Sequence, residues 1–173
     1  MGTVMPFGFQ VAFQIVQDNQ VTPYDLVVHA GDIAYDGMGK TWEFEFLWDM
    51  LGRQIDSYAS YIPYMTGVGN HEHYFNYTSF LSRFQMPAAR SGGNQNFWLS
   101  FDHSYIHWIF MSTEHPYEPG SEQYRWLEQD LQKANANRAN VPWIFLVGHR
   151  PMYCSAAREW DSHRPGAPFA TNI

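Results

Sequence analysis

Three apolar runs, each ending in a glycine followed by polar residues, constrain the fold of this chain more than any other feature of its sequence. The runs cover residues 26–30, 62–68 and 143–147, and they end in Gly-Asp, Gly-Asn-His-Glu and Gly-His. Apolar, β-branched runs of this length are typical of strands that are buried on both faces. Helix-like segments lie between them, and this alternation predicts an α/β fold with a mostly parallel sheet flanked by helices.

Polar side chains suited to metal binding follow the three runs: Asp32, the pair Asn70 and His71, and His149. In an open α/β sheet, ligands bind beyond the carboxyl ends of the strands. A carboxylate at the end of a buried strand is costly to desolvate, and a bound cation offsets that cost. Carboxylate, amide and imidazole groups together suit Fe, Zn or Mn. The sequence therefore predicts one metal site built by three loops.

Composition narrows the class of protein. The chain has 173 residues, of which 45% are hydrophobic and 18% aromatic, which argues against disorder and predicts a single domain over residues 1–173. The formal net charge of −7 argues against a nucleic-acid-binding surface. No apolar run approaches the roughly 20 residues that a membrane span needs. The single cysteine, Cys154, excludes an internal disulfide, and residues 1–5 show no signal-peptide pattern.

Periodicity and turn residues outline the other elements. Helices are predicted over residues 9–18, 41–58, 79–84 and 120–134, and a β-hairpin over 97–101 and 105–112. The side chains predicted to be buried are Phe9, Phe13 and Val16 in the first helix, Trp42, Phe46, Leu47, Met50 and Leu51 in the second, and Tyr124, Leu127 and Leu131 in the last. Ser121 is the predicted N-cap of the last helix. Residues 156–173 have no periodicity and are predicted to be an irregular tail.

The predicted site suits phosphoryl transfer. One aspartate can bridge two metal ions, and two ions roughly 3.5–4 Å apart clamp the attacking and leaving oxygens of a phosphate ester. A metal-bound water has a pKa near 7, which supplies a nucleophile without a serine or cysteine. The sequence has no nucleophile elbow, no reactive-cysteine signature and no P-loop that would favour another chemistry.

The motifs at the strand ends resemble those of the purple acid phosphatases, within the calcineurin-like metallophosphoesterases. Residues 31–35 match the GDxxY motif, residues 69–72 match GNHE, and residues 148–155 are similar to the third block of that family. The resemblance covers nearly the whole chain up to about Ser155. It implies the calcineurin-like metallophosphoesterase sandwich and an acid phosphatase that hydrolyses phosphate monoesters by a metal-bound hydroxide at a binuclear Fe(III)-M(II) centre.

The resemblance also implies metal-binding roles for four residues. Asp32 resembles the carboxylate that bridges the two ions, and Tyr35 resembles the phenolate on Fe(III), whose charge-transfer band colours the family. Asn70 and His149 resemble ligands of the second metal, which is Fe, Zn or Mn across the family.

Four further residues have expected roles around the metals. By resemblance, His71 faces the phosphate and helps to protonate the leaving alcohol rather than binding metal. Glu72 is expected to support its loop from outside the ligand set, and His73 lies close enough in sequence to contact substrate. Asn76 begins an N-glycosylation sequon, Asn-Tyr-Thr, which fits a mostly secreted, lysosomal or vacuolar family.

Two departures from the family pattern leave alternatives open. The family's first motif is GDxG, whereas this chain begins Met1-Gly2-Thr3. The family's last motif is GHxH, which this chain lacks. A truncated form is therefore expected, incomplete at both ends and without one aspartate and two histidines of the family's ligand set. One alternative is a calcineurin-like phosphodiesterase, against which Tyr35 argues. Another is a non-catalytic remnant that binds phosphate or a partner.

Each candidate also has a purely structural interpretation. Asp32 and Asn70 could stabilise turns, Tyr35 could pack beneath its loop, and His149 could be a hydrogen-bonded core histidine. Agreement among three strand ends favours the metal-site interpretation. The sequence leaves the physiological ester and the oligomeric state open.

Overall fold

A computed structural model of the chain describes residues 7–36 and 44–152. The chain divides into two compact units, Met1–Gln85 and Met86–Ile173. The predicted irregular tail, residues 156–173, lies outside the described residues, as does Trp42. Within the described part of the chain, no helix combines the length and the apolar character that crossing a bilayer requires.

The first unit alternates helices and strands. Its elements in chain order are α1 (Phe7–Val21), β1 (Val27–Ala30), α2 (Phe44–Ala59), β2 (Tyr64–Gly67), two 3₁₀ turns (Asn70–Glu72 and Tyr74–Tyr77) and α3 (Thr78–Arg83). Strands β1 and β2 are parallel, with Val27 opposite Tyr64 and Ala30 opposite Gly67. Because the strands are parallel, the loops that follow them begin at the same end of the strand pair.

The second unit contains a three-stranded sheet in the order β3-β4-β5. Its elements are α4 (Ala88–Ser91), β3 (Leu99–His103), β4 (Ile106–Phe110), α5 (Glu122–Ala136) and β5 (Trp143–Val147). Strands β3 and β4 form the predicted antiparallel hairpin, and β5 pairs with β4 in parallel. The predicted last strand, residues 143–147, is confirmed with its bounds unchanged.

The buried face of α2 differs from the predicted one. Trp48, Leu51, Ile55 and Tyr58 are buried at helical spacing, whereas Phe46 is 60% exposed. Of the predicted side chains that the structure describes, Leu51 alone is fully buried, and Leu47 and Met50 are half-buried. The difference follows from Trp48, whose indole N–H donates to the buried carboxylate of Asp36 at 2.5 Å and turns that face inward.

The buried face of α5 is also shifted by one residue from the prediction. Gln123, Trp126, Asp130 and Ala134 are buried, whereas Leu131 is exposed, and Tyr124 and Leu127 are half-buried. Two of the four buried residues are polar, so apolar spacing could not reveal this face. The predicted N-cap at Ser121 is confirmed, because its hydroxyl accepts the N–H of Tyr124 at 3.1 Å.

Helix α1 presents the aromatic side chains of Phe9 and Phe13 to solvent. Phe9 is 42% and Phe13 is 63% exposed, contrary to the prediction, and Val16 is half-buried. Among residues 8–21 of α1, the buried positions are the small residues Gly8 and Ala12. Helix α1 packs against α2, and small side chains at buried positions allow helices to approach closely.

Candidate functional site

Two glycines allow the loops after β1 and β2 to touch. Gly31 has φ +74°, and a Cβ atom there would lie 2.7 Å from the backbone nitrogen of Gly69. A Cβ atom on Gly69 would in turn lie 2.5 Å from Oδ1 of Asp32. Any side chain at either position would therefore force the loops apart. The two motifs predicted to share a site are in direct contact for this reason.

The carboxylate of Glu72 joins the same two loops. Its Oε2 accepts the backbone N–H groups of Asp32 and Gly69, both at 2.8 Å, and its Oε1 accepts that of Ile33 at 2.7 Å. Glu72 is only 2% exposed. Burial raises the pKa of Glu72, and the three N–H donors oppose that shift without cancelling it. Glu72 therefore clamps the two loops together, and its supporting role around a metal stays a prediction.

Asp32 and His71 lie side by side across this contact. Asp32 is 7% exposed and has φ +50°, a left-handed conformation that is costly for a residue with a side chain. Its Oδ1 accepts the backbone N–H of His71 at 3.0 Å, and its Oδ2 lies 4.0 Å from Nε2 of the same histidine. The strained turn after β1 therefore places a buried carboxylate beside an imidazole.

Tyr35 completes this group in the first unit. Its ring packs against that of His71, with centroids 4.7 Å apart and planes at 32°. Burial, the charge of Asp32, a hydrogen bond with Asp32 and the charge of Glu72 raise the pKa of Tyr35 to about 12. These surroundings disfavour the phenolate, and a cation placed among the same oxygens would favour it instead.

Asn70, His73 and Asn76 follow in the loop beyond Gly69. Asn70 begins the first 3₁₀ turn, and its carbonyl oxygen lies 2.5 Å from Nδ1 of His73. The ring of His73 packs on Tyr74, with centroids 4.2 Å apart. Asn76 is exposed and lies in a left-handed stretch between Phe75 and Tyr77.

His149 belongs to the second unit, where it follows β5. The parallel pairing of β4 and β5 continues to the N–H of Met111, which donates to the Val147 carbonyl at 2.9 Å. His149 is half-buried, immediately beyond Gly148. The structure thus brings together Asp32, Tyr35, His71 and Glu72 in one unit, and the convergence of all four predicted metal ligands stays a prediction.

Two carboxylates that the sequence analysis did not single out lie near predicted site residues, one in each unit. Asp36 is 2% exposed and binds Trp48, and burial raises its pKa against that hydrogen bond. Glu114 pairs with Arg150, the residue after His149. Glu114 lies in the segment that follows β4, but no glycine introduces it, so the strand-end pattern that marked Asp32 did not reveal it.

The donor groups fit a metal ion with a preference for oxygen. The buried carboxylate of Asp32 and the half-buried phenol of Tyr35 lie together, and the other two candidates add an amide and an imidazole. Across residues 7–36 and 44–152, no group of three or more His, Cys, Asp or Glu side chains is placed to hold a metal ion. Among these described residues, a metal centre would therefore need the tyrosine and asparagine donors as well.

Comparisons with known proteins agree on one relationship. Residues 6–170 match the family model described as calcineurin-like phosphoesterase. The human (Homo sapiens) protein "Acid phosphatase type 7" is 43% identical over 147 residues, which are 82% of this chain and 32% of that protein. "Probable purple acid phosphatase 20" of Arabidopsis thaliana is 37% identical over 76% of this chain and 31% of its own length.

A solved structure of a purple acid phosphatase from yellow lupin (Lupinus luteus) seeds matches with a TM-score of 0.78 and 28% identity, over 94% of this chain and 30% of that one. The chain thus spans about a third of the length of the relatives that it matches.

Proposed function

Because this chain belongs to the calcineurin-like phosphoesterase family, we propose that it carries part of the active site of a metal-dependent acid phosphatase acting on phosphate monoesters. The family match over residues 6–170 runs through both compact units, which supports one phosphoesterase domain over residues 1–173. The single observation that carries the proposal is the Glu72 clamp, which holds the buried carboxylate of Asp32 beside the half-buried His71.

The proposed metal centre is Fe(III) with a second Fe, Zn or Mn ion. Asp32 would bind both ions, Tyr35 the iron, and Asn70 and His149 the second ion. When bound, such a pair neutralises charge on the phosphate and activates water for attack. The buried carboxylate of Asp32 and the half-buried phenol of Tyr35 support this assignment, because burial and the charge of Asp32 raise the pKa of Tyr35 and a cation would offset both effects.

His71 is the proposed general acid. Its backbone N–H is bound to Asp32 and its ring packs on Tyr35, so the imidazole has a fixed position beside the proposed ligands. Its side chain is 23% exposed and therefore accessible to a substrate. A protonated imidazole in this position would donate its proton to the leaving alcohol. His73, two residues further on, is proposed to lie near the substrate.

Metal loading and ester hydrolysis together test this function. We expect the full chain, incubated with Fe(III) and Zn²⁺ and then dialysed, to retain both metals, to absorb visible light, and to hydrolyse an aryl phosphate monoester faster than the diester. Tyr35→Phe should abolish the visible band because it removes the phenol oxygen. The matched control is Tyr61→Phe, at a side chain 86% exposed, which should leave the band intact.

A second candidate function is binding of phosphate without turnover. The observation that favours it is the lack, among residues 7–36 and 44–152, of any cluster of three His, Cys, Asp or Glu side chains suited to a metal. Retention of a single weakly held ion, with no visible band and no hydrolysis, would support this candidate and overturn the first. Preferential hydrolysis of the diester would favour a phosphodiesterase instead.

We also propose that the protein is secreted or delivered to a lysosome or vacuole and carries an N-glycan. The acceptor would be Asn76, which is exposed and begins the Asn-Tyr-Thr sequon. A loss of mass on enzymatic removal of N-glycans, absent in Asn76→Gln, would check this for protein made in a secretory host.

A further inference from the structure

The segment that follows β4 contacts the chain on both sides of His149. On the amino side, a Cβ atom on Gly148 would lie 3.3 Å from the methyl group of Thr113, so the backbone there already packs against that side chain. On the carboxyl side, the backbone N–H of Arg150 donates to the hydroxyl of Thr113 at 3.2 Å. His149 is therefore held between two contacts made by one threonine.

Glu114 reinforces the second of these contacts. Its Oε1 accepts Nε of Arg150 at 2.8 Å and its Oε2 accepts Nη2 at 2.7 Å, which is the paired geometry of a guanidinium and a carboxylate. The hydroxyl of Thr113 also donates to Oε1 of Glu114 at 2.9 Å. Three groups are thus linked into one network beside His149.

Burial makes this network more than a surface ion pair. The side chain of Glu114 is 9% exposed and that of Arg150 is 28% exposed. Surface pairs contribute little, but removing one partner of a buried pair leaves an uncompensated charge. Hydrophobic packing gives no reason to bury a glutamate at position 114. Its burial is explained if Glu114 fixes Arg150, the residue next to the candidate metal ligand His149.

We propose that Glu114 is a positioning residue for His149: through its paired hydrogen bonds to Arg150, it fixes the backbone that carries this imidazole as a metal ligand. The inference rests on the proposed function for the role of His149, but the fixing of the backbone is independent of it. Residues that orient metal ligands from outside the ligand set change metal affinity by about 10–100-fold when they are replaced.

The first experiment measures backbone order without metal. In the metal-free full chain, Glu114→Gln should raise the hydrogen-exchange rate of the His149 and Arg150 amides by about tenfold, with no change in β3 or α5. Thr113→Val removes the hydroxyl without changing charge and should act in the same direction. Unchanged exchange at both amides in both variants would overturn the proposal.

The second experiment measures metal binding. After loading with Fe(III) and Zn²⁺, Glu114→Gln should bind Zn²⁺ about tenfold more weakly while keeping the visible band expected from Tyr35 and iron. Glu114→Asp keeps the charge and should recover part of the affinity. A protein that had merely lost its fold would lose the band and the zinc together, so the split between the two signals identifies positioning.

Glu118→Gln is the matched control, because it makes the same charge change at an exposed glutamate four residues away. It should leave exchange and zinc affinity as in the parent chain. Equal zinc affinity in Glu114→Gln and the control would overturn the proposal. If the parent chain binds neither metal, the proposed function fails, and the exchange data from the metal-free chain still decide whether Glu114 fixes the backbone around His149.

Discussion

A buried carboxylate that accepts three backbone N–H groups cannot be replaced by its isosteric amide without losing an acceptor, and Glu72 is in this position. In Glu72→Gln, one of the two oxygens becomes an NH₂ group, which cannot accept a hydrogen bond. At least one buried amide then loses its acceptor, at a cost of about 1–3 kcal/mol. We expect the free energy of unfolding, measured by urea denaturation, to fall by about that amount.

Glu128→Gln provides the comparison, because Glu128 lies exposed on α5. It should change the free energy of unfolding by less than about 0.5 kcal/mol. Equal stability of the two variants would contradict the view that Glu72 holds the loops after β1 and β2 together.

At the scale of elements, His107 connects two strands and a helix in the second unit. Its Nδ1 lies 2.6 Å from Oδ1 of Asp102 on β3, and its Nε2 lies 2.9 Å from Oδ2 of Asp130 on α5. Asp130 also accepts the hydroxyl of Ser100 at 2.7 Å. Both ring nitrogens can donate to carboxylates only in the protonated imidazole, so the geometry corresponds to a cation between two anions.

This arrangement predicts a pH-dependent stability. Burial lowers the pKa of His107, but the hydrogen bonds and charges of Asp130 and Asp102 outweigh it, so the pKa is raised above the ordinary value of 6.5. A group whose pKa is higher in the folded than in the unfolded state contributes its full stabilisation at pH values below its unfolded pKa. This contribution is lost as the pH rises through the pKa of the folded state. The melting temperature should therefore fall as the pH is raised above about 6.5.

Melting curves from about pH 5 to about pH 9 measure this effect, compared between the parent chain and His107→Gln. The difference in melting temperature should be largest at the acid end and shrink as the pH rises. His103→Gln, on the same hairpin, is the control and should leave the slope unchanged. A constant difference across the range would show that His107 acts through packing alone.

The helix faces show where sequence patterns stop being informative. The order of helices and strands followed from periodicity and turn residues. The inward face of α5 did not, because Gln123 and Asp130 are buried through hydrogen bonds to Ser112, Ser100 and His107. These partners lie on other elements, and a buried polar residue that is satisfied from a distance has no apolar signature in its own helix.

At the scale of the whole molecule, the predicted α/β fold of the calcineurin-like type is confirmed by the family match and by the lupin enzyme structure. The strand-end motifs identified the residues of the candidate site because glycines flank them. Glu114 was missed since its proposed role depends on Arg150, 36 residues later. Likewise, the partners of Glu72 at Asp32 and Ile33 lie about 40 residues earlier in the chain. Contacts between distant segments are set by packing, which local patterns do not encode.

The net charge of the protein connects its proposed activity at acid pH with its solubility. The chain carries a formal charge of −7 at pH 7 and has a sequence pI near 5.5. An acid assay therefore brings the molecule close to zero charge, where repulsion between copies vanishes. Exposed apolar side chains such as Phe13 and Trp143, at 63% and 62% exposure, then favour association. Light scattering against pH should show a maximum near the pI, and salt should change it little there.

Two exposed residues of α5 allow the charge argument to be tested in both directions. Lys133→Gln removes one positive charge and should move the scattering maximum to lower pH, whereas Glu128→Gln removes one negative charge and should move it higher. Neither side chain belongs to the candidate site, so the substitutions alter charge without altering the proposed chemistry. A scattering maximum that stays at the same pH in both variants would mean that apolar contacts drive the association. Net charge would then not limit the solubility of the protein in an acid assay.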